Sequence, residues 1–491
     1  MVTLALLSLS ASNLAHKNGN LKDRNCSYVY RSSEQTTQHF TSAFQYYQDA
    51  LFLLHATAES AQKEPESCLL TAMLALLFEW ESGSPIAVCT HIRGAEAIVL
   101  ANYRVISLTS SGRSLLCAWA EFHALWEAHL LPFRRAEIEK VISVPRILAH
   151  NFADREVAVY MICSDASFLS QRLSLVSCFE DDSESMSEVM RKAQKWYNSR
   201  FQSLMDELDA EKDDGFHSLE SLIALIPHFK LLLSSWHDAL GQEDLPEGDQ
   251  LAYSQRATAI QFGSEQAYHG SPNESSLTIS DGLVSEIEPL IFKTYAAARS
   301  YFHYCAARVM LSDDIISQLP VVKARRKELA NDSKISNTFS QHTEIQPSPS
   351  ANFWANNVLR ILAGMDWTDD AALSPYHENP FWTLWLVCSV CLDPQLIYKV
   401  LNELLPMLRT KYPAEKPLLN CISHWEDYFS FMLQKLDFGW KPYLVMIPTP
   451  ANQEMGTDHD TILAIHGLDA KGEMVHFTER IPKKRTFGGV K

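Results

Sequence analysis

The segment from Leu69 to Leu100 constrains the fold more than any other part of the chain, because it contains two helical patterns joined by a short corner. In the first pattern, apolar residues recur every three or four positions and so share one face of a helix: Leu69, Met73, Leu76, Leu77 and Trp80. Gly83 accepts a left-handed C-cap and Pro85 suits a first helical turn. The sequence therefore predicts a helical hairpin.

The second helix of this hairpin has an apolar side formed by Ile86, Val88, Ile92, Ala95, Ile98 and Val99. Gly94 lies in its middle, where glycine costs about 1 kcal/mol relative to alanine. We therefore expect another helix to pack closely against Gly94. We also expect Glu79 and Arg93 to form an ion pair across the corner, because their opposite charges flank the same turn.

Four segments resemble, in order, the fungal-specific transcription factor domain, the regulatory region that follows the zinc-cluster domain in many fungal regulators. Residues 4–15 resemble its opening helix and residues 44–51 a second helix of the family. Residues 76–83 (LLFEWESG) and 91–95 (HIRGA) resemble its central motif. The resemblance implies structural anchors at five positions, which are Glu79, Gly83, His91, Arg93 and Gly94.

The resemblance also implies an all-α regulatory domain that works in a fungal nucleus without touching DNA itself. We expect one helical domain over residues 1–440, with loops at 241–282 and 331–351, and an irregular or partly extended tail over 441–491. The partners implied are proteins of the transcription machinery or a homodimer partner. A small-molecule effector would bind in an apolar cavity lined by aromatic residues of the helices predicted at 112–131 and 283–312.

Charge and cysteine spacing argue against a DNA-binding module in this sequence. The chain has 42 Lys and Arg against 59 Asp and Glu, a net charge of −17, so we expect no direct nucleic-acid binding. A fungal zinc cluster needs six cysteines within about thirty residues. The ten cysteines here are scattered, and we interpret Cys388 and Cys391 as buried core thiols. We expect no metal or other cofactor, and a zinc cluster that was either lost or encoded upstream of Met1.

The two ends of the chain carry patterns of targeting signals. Residues 1–15 have an apolar run like that of a signal peptide but no positively charged start, so we favour the opening helix of the domain. Apolar runs long enough for a membrane-spanning helix are absent from the sequence, so we expect no membrane partner. Lys483, Lys484 and Arg485 resemble a short nuclear import signal.

Two other functions stay open, an enzyme and a helical scaffold for protein contacts. Asp437-Phe438-Gly439-Trp440 resembles a signature of acyl-CoA-dependent acyltransferases, which also use a His-x-x-x-Asp-Gly motif whose histidine is the general base. His150 and Asp154 have this spacing, but Arg155 replaces the glycine, and that family has a strand-rich fold. We therefore expect no catalytic residues and no enzymatic activity.

Overall fold

The chain is mostly helical, with one small three-stranded sheet in the part that the structure describes. This confirms the predicted all-α class in its broad form. The computed structural model describes residues 1–18, 34–57, 64–82, 85–130, 155–179, 186–198, 219–247, 287–324, 349–366, 380–411, 417–446 and 461–481.

The helix predicted at 112–131 is observed close to these positions, whereas the one predicted at 283–312 begins later in the chain. In chain order the helices are α1 (Val2–Asn18), α2 (Glu34–Thr57), α3 (Pro65–Ser82), α4 (Pro85–Ile106), α5 (Ser110–Leu130), α6 (Arg155–Phe179), α7 (Met186–Asn198), α8 (Leu219–Asp238), α9 (Tyr295–Met310), α10 (Asp313–Ile316), α11 (Ala351–Gly364), α12 (Pro380–Cys391), α13 (Pro394–Lys399), a π-helical turn (Val400–Leu404), α14 (Leu405–Lys411) and α15 (Pro417–Asp437). The strands are β1 (Lys441–Met446), β2 (Thr461–Leu468) and β3 (Met474–Ile481).

The chain folds into two compact units. The first unit contains residues 1–223, 444–467 and 474–491, and the second contains residues 224–443 and 468–473. Most of the C-terminal sheet therefore belongs with the N-terminal helices. This placement of the C-terminal strands depends on contacts between residues that are far apart in the sequence, and helical periodicity does not report such contacts.

Helix α3 is the centre of the first unit because it supplies two hydrophobic clusters. One cluster joins α3 to α1 and α2 through Ala5, Leu9, Ala11, Ala43, Tyr47, Ala50, Leu74, Ala75 and Phe78. The other joins α3 to α4, α5 and α6 through Leu69, Ala72, Ala95, Val99, Ile106, Leu116, Trp119, Ala120, Val157 and Met161. The predicted packing of α3 against α4 is therefore present, and α3 lies between the two clusters.

A glycine is required where α4 turns into α5, at Gly112. A Cβ atom at this position would lie 1.9 Å from the carbonyl oxygen of Ile106, which is backbone and cannot rotate away. The Thr109 side chain accepts a hydrogen bond from the Gly112 amide at 2.9 Å and caps α5. Thr109 in turn donates to Glu66 of α3 at 2.6 Å, which ties the corner to the central helix.

The expectation of a closely packed helix at Gly94 is wrong. Gly94 is exposed, and nothing lies within 4 Å of a Cβ atom built there. The buried side of α4 is formed by Ile92, Ala95 and Val99. Gly94 lies about 200° around the helix from Ile92, at about 100° per residue, and therefore faces solvent.

Replacement of Gly94 by alanine should stabilise the first unit by up to about 1 kcal/mol, because alanine has the better helix propensity and its methyl group meets no neighbour. Urea unfolding followed by far-UV circular dichroism measures this gain. Ala97, which is exposed on the same helix, offers the matched control, and Ala97→Gly should lose a similar amount. Destabilisation by Gly94→Ala would contradict the exposed position.

The second unit has an aromatic core built on α8, α9 and α11. Tyr304 of α9 stacks on Trp236 of α8 with ring centroids 5.4 Å apart and meets Trp354 of α11 edge-on at 5.5 Å. Helix α9 is shorter than the predicted 283–312 because Thr294 caps it, accepting a hydrogen bond from the Ala297 amide at 3.1 Å. The predicted effector cavity stays a prediction, since the side chains of 121–130 lie outside the described residues.

Of the two cysteines interpreted as buried core thiols, Cys388 is buried, and burial raises the pKa of its thiol. Cys391 is only partly buried, so the prediction is confirmed for Cys388 alone. The tail is partly extended, as β1, β2 and β3 show, while residues 447–460 and 482–491 lie outside the described residues. The predicted loops fall mostly outside them too, and residue 351 already belongs to α11.

Candidate functional site

Three of the segments that carry the family resemblance meet at one group of polar side chains in the first unit, of which Tyr47 and Glu79 are buried and His91 is partly buried. Tyr47 of α2 is at its centre, with its hydroxyl 2.6 Å from Nε2 of His91 on α4. The same hydroxyl hydrogen-bonds the Glu79 side chain of α3, which is only 8% exposed. We call Tyr47, Glu79 and His91 the polar triad.

Aromatic packing sets the position of the Tyr47 hydroxyl. The Tyr47 ring stacks on Phe78 with centroids 4.6 Å apart, and Phe44 meets the same Phe78 ring edge-on at 5.3 Å. Ala43 and Ala50, the small buried residues on either side of Tyr47, let α2 approach α3 closely. Because Phe78 precedes Glu79, the stack that holds Tyr47 also brings its hydroxyl to the carboxylate.

The direction of the hydrogen bonds follows from the chemistry of the three groups. Burial and the neighbouring Glu79 raise the pKa of Tyr47 far above its ordinary value, so the hydroxyl keeps its proton. A carboxylate only accepts, so Tyr47 donates to Glu79 and accepts from the Nε2–H of His91. Burial lowers the pKa of His91 although Glu79 opposes this, so the imidazole is neutral at neutral pH. The triad is therefore a chain of hydrogen bonds from His91 through Tyr47 to Glu79.

Two of the five predicted anchors belong to this site, and two others are exposed to solvent. Glu79 and His91 meet through Tyr47, whereas Arg93 and Gly94 are exposed. The predicted pairing of Glu79 with Arg93 is wrong, because Glu79 is buried and bonds to Tyr47 instead. Gly83 and the proposed import signal at Lys483, Lys484 and Arg485 lie outside the described residues.

Tyr47 is the residue of the site that sequence reasoning missed. A signal for it existed, because a carboxylate inside an apolar helical pattern needs a buried hydrogen-bond donor. Glu79 follows the apolar run that ends at Phe78, and the 44–51 segment offers Tyr46 and Tyr47 as donors. Only the packing of α2 selects Tyr47, which is buried, over Tyr46, which is partly exposed.

The Asp437–Trp440 segment is the C-terminal cap of α15 in the second unit. Gly439 adopts a left-handed conformation with φ of 79°, and its amide donates to the carbonyl of Leu436 at 2.9 Å. The Trp440 amide reaches back to the carbonyl of Lys435 at 3.1 Å. This pair of bonds is a Schellman motif, which accounts for a glycine at this position. His150 and Asp154 of the acyltransferase-like pattern lie outside the described residues.

Stability of the first unit should fall in acid because of His91. Its pKa is lowered in the folded state from 6.5, so below pH 6.5 the unfolded chain binds more protons than the folded chain. The contribution of neutral His91 to the free energy of unfolding is complete above pH 6.5. It is lost as the pH falls through the folded-state pKa of His91. Urea unfolding at a series of pH values should show a shallower acid loss for His91→Gln than for the wild type.

The exposed His55 of α2 provides the control for this measurement, and His55→Gln should follow the wild-type pH profile. His237 of the second unit also has a pKa lowered by burial, so some acid loss will remain in His91→Gln. Identical profiles for His91→Gln and wild type would contradict a partly buried, neutral His91.

The described residues contain neither a metal-binding cluster nor a membrane-spanning helix. Three or more His, Cys, Asp or Glu side chains nowhere come together there as a metal-binding group. The described helices include none with the length and apolarity needed to cross a membrane. Comparisons of this chain with known family models, curated proteins and solved structures find no match.

Proposed function

We propose that this chain is the regulatory region of a fungal transcription factor and controls transcription through contacts with other proteins. The observation that supports this proposal is the polar triad. Tyr47, Glu79 and His91 come from three different segments of the family resemblance, and they meet at one site. Segments that match a family pattern in order and also pack on one another are more informative than matches scattered over a surface.

The triad suggests how such a region would respond to a signal. A hydrogen-bonded group in a low-dielectric core is stable only when every member has its partner, so intermediate arrangements of α2, α3 and α4 are disfavoured. An effector or a partner protein that binds one packing of these helices more tightly would shift the population towards it. The triad acts in this proposal as a positioning element and does no chemistry.

Charge supports regulation through proteins instead of direct contact with DNA. A net charge of −17 repels the phosphate backbone, and phosphate contacts supply most of the affinity of nonspecific DNA binding. The purified chain should therefore show only weak binding in a gel shift at physiological salt. Sequence-selective binding at nanomolar concentration would contradict this part of the proposal.

The test of the function is a tethering experiment in fungal cells. The whole chain is fused to a heterologous DNA-binding domain, and transcription of a reporter with the matching sites is measured against the DNA-binding domain alone. We expect the fusion to raise or lower reporter transcription. Tyr47→Phe should reduce the effect, and Tyr103→Phe, at a tyrosine whose hydroxyl contacts exposed Arg104, should not. A stable nuclear fusion that leaves the reporter unchanged would overturn the proposal.

Nuclear location is tested separately with a fluorescent fusion of the chain. The wild type should accumulate in the nucleus, and replacement of Lys483, Lys484 and Arg485 by alanine should release it to the cytoplasm. Equal distribution of the two proteins would remove the import signal from the proposal without affecting the tethering result.

A further inference from the structure

Two histidines face each other on the C-terminal sheet of the first unit. His466 of β2 and His476 of β3 have their Nδ1 atoms 3.0 Å apart. β2 and β3 are neighbours in the sheet, and the Asp469 amide donates to the carbonyl of Glu473 in the turn between them. Three residues further from the turn on each strand, His466 and His476 occupy directly opposite positions. Their proximity is therefore a result of strand register.

Aromatic side chains of two helices hold the imidazole rings in place. Phe179, at the end of α6, stacks on His476 with centroids 4.3 Å apart and ring planes 14° apart. Trp196 of α7 meets His466 edge-on at 4.6 Å. His466 is fully buried and His476 is partly exposed, so the pair is enclosed on one side and open to solvent near the other ring.

The spacing of the two nitrogens matches that of neighbouring ligands on one metal ion. Zinc binds histidine nitrogen at about 2.0–2.1 Å, which places two ligands at a tetrahedral angle about 3.3 Å apart. The observed 3.0 Å separation is a few tenths of an ångström shorter than this, and the two rings must also tilt so that both lone pairs point at one ion. Neutral imidazole suits zinc, copper and nickel, so the donor set fits a divalent transition-metal ion.

We propose that His466 and His476 form a binding site for a divalent transition-metal ion of the zinc and copper class. Without metal, one Nδ1–H donates to the other Nδ1. On binding, the ring that donated this bond moves its proton from Nδ1 to Nε2. Both Nδ1 lone pairs then face the ion, and the protein loses no proton. Phe179 and Trp196 fix the ring planes and so reduce the reorganisation that binding requires.

The site should exchange its ion readily. Among the described residues, no third His, Cys, Asp or Glu completes a metal-binding group, and the proposal assigns two protein ligands. Such a site binds more weakly than a closed structural zinc site with four protein ligands. It is independent of the proposed transcriptional function and of the scattered cysteines.

Zinc titration of the chelator-treated full chain by isothermal calorimetry tests the proposal. At neutral pH we expect one saturable site, and His476→Gln should weaken its affinity at least about tenfold. The exposed His55 supplies the control, since His55→Gln should bind zinc like the wild type. Binding should weaken in mildly acidic buffer, because a protonated imidazole has no lone pair to offer.

A second measurement on the wild-type protein covers the case in which His476→Gln does not fold, as judged by circular dichroism. Pulsed electron paramagnetic resonance of the chain loaded with one equivalent of Cu²⁺ should show two equatorial imidazole ligands. Absence of a saturable zinc site, equal zinc affinity in folded His476→Gln, or a Cu²⁺ spectrum without the imidazole pair would each overturn the proposal. The histidines would then form only a structural hydrogen bond.

Discussion

Gly112→Ala should destabilise the first unit by about 1–3 kcal/mol or more, because its new methyl group overlaps backbone that cannot rotate away. The Cβ atom would lie 1.9 Å from the carbonyl oxygen of Ile106 and 2.8 Å from the carbonyl carbon. To relieve this overlap, the start of α5 must move away from the end of α4. That movement also stretches the cap that Thr109 forms on the Gly112 amide. Urea unfolding by far-UV circular dichroism and the melting temperature measure the loss.

Gly94→Ala is the matched comparison, because it makes the same chemical change at a helical glycine of the same unit. Its effect should have the opposite sign, since a Cβ atom there meets nothing within 4 Å. Equal effects of the two substitutions would show that helix propensity alone determines the change in stability. The close approach at the α4–α5 corner would then be wrong.

Tyr47→Phe should also cost about 1–3 kcal/mol, because it removes the central member of the polar triad and takes one hydrogen bond from buried Glu79 and one from partly buried His91. The Glu79 carboxylate loses a donor, and the Nε2–H of His91 loses an acceptor. The phenylalanine ring retains the stack on Phe78, so the measured change reports the hydroxyl and not the loss of packing. Chemical denaturation at neutral pH, where His91 is neutral, gives the value.

Tyr103→Phe on α4 is the control for this substitution, since its hydroxyl accepts a bond from Arg104 at an exposed site. It should change stability little. A double-mutant cycle of Tyr47→Phe with Glu79→Gln should give a coupling energy of at least about 0.5 kcal/mol, as residues in one hydrogen-bond network do. A Tyr47→Phe loss no larger than that of Tyr103→Phe would mean that the triad contributes nothing to the fold.

The errors made from the sequence have different physical origins. For Gly94 the information was present, because the spacing of Ile92, Ala95 and Val99 already places Gly94 off the buried side of α4. The low helix propensity of glycine does not by itself indicate close packing, because an exposed glycine simply costs stability. For α9 the apolar pattern continues upstream of the true start, whereas the boundary is set by the cap at Thr294.

Periodicity and capping chemistry determined the mostly helical fold and the hairpin of α3 and α4, because both depend on residues within a few positions of each other. Only the tertiary structure decided that Tyr47 joins Glu79 to His91, that Gly112 and not Gly94 is sterically required, and that His466 meets His476 between two aromatic rings. Each of these depends on distances between separate elements, and those distances follow from how the helices and strands pack. A side chain carries no local signal of the partner that packing brings to it.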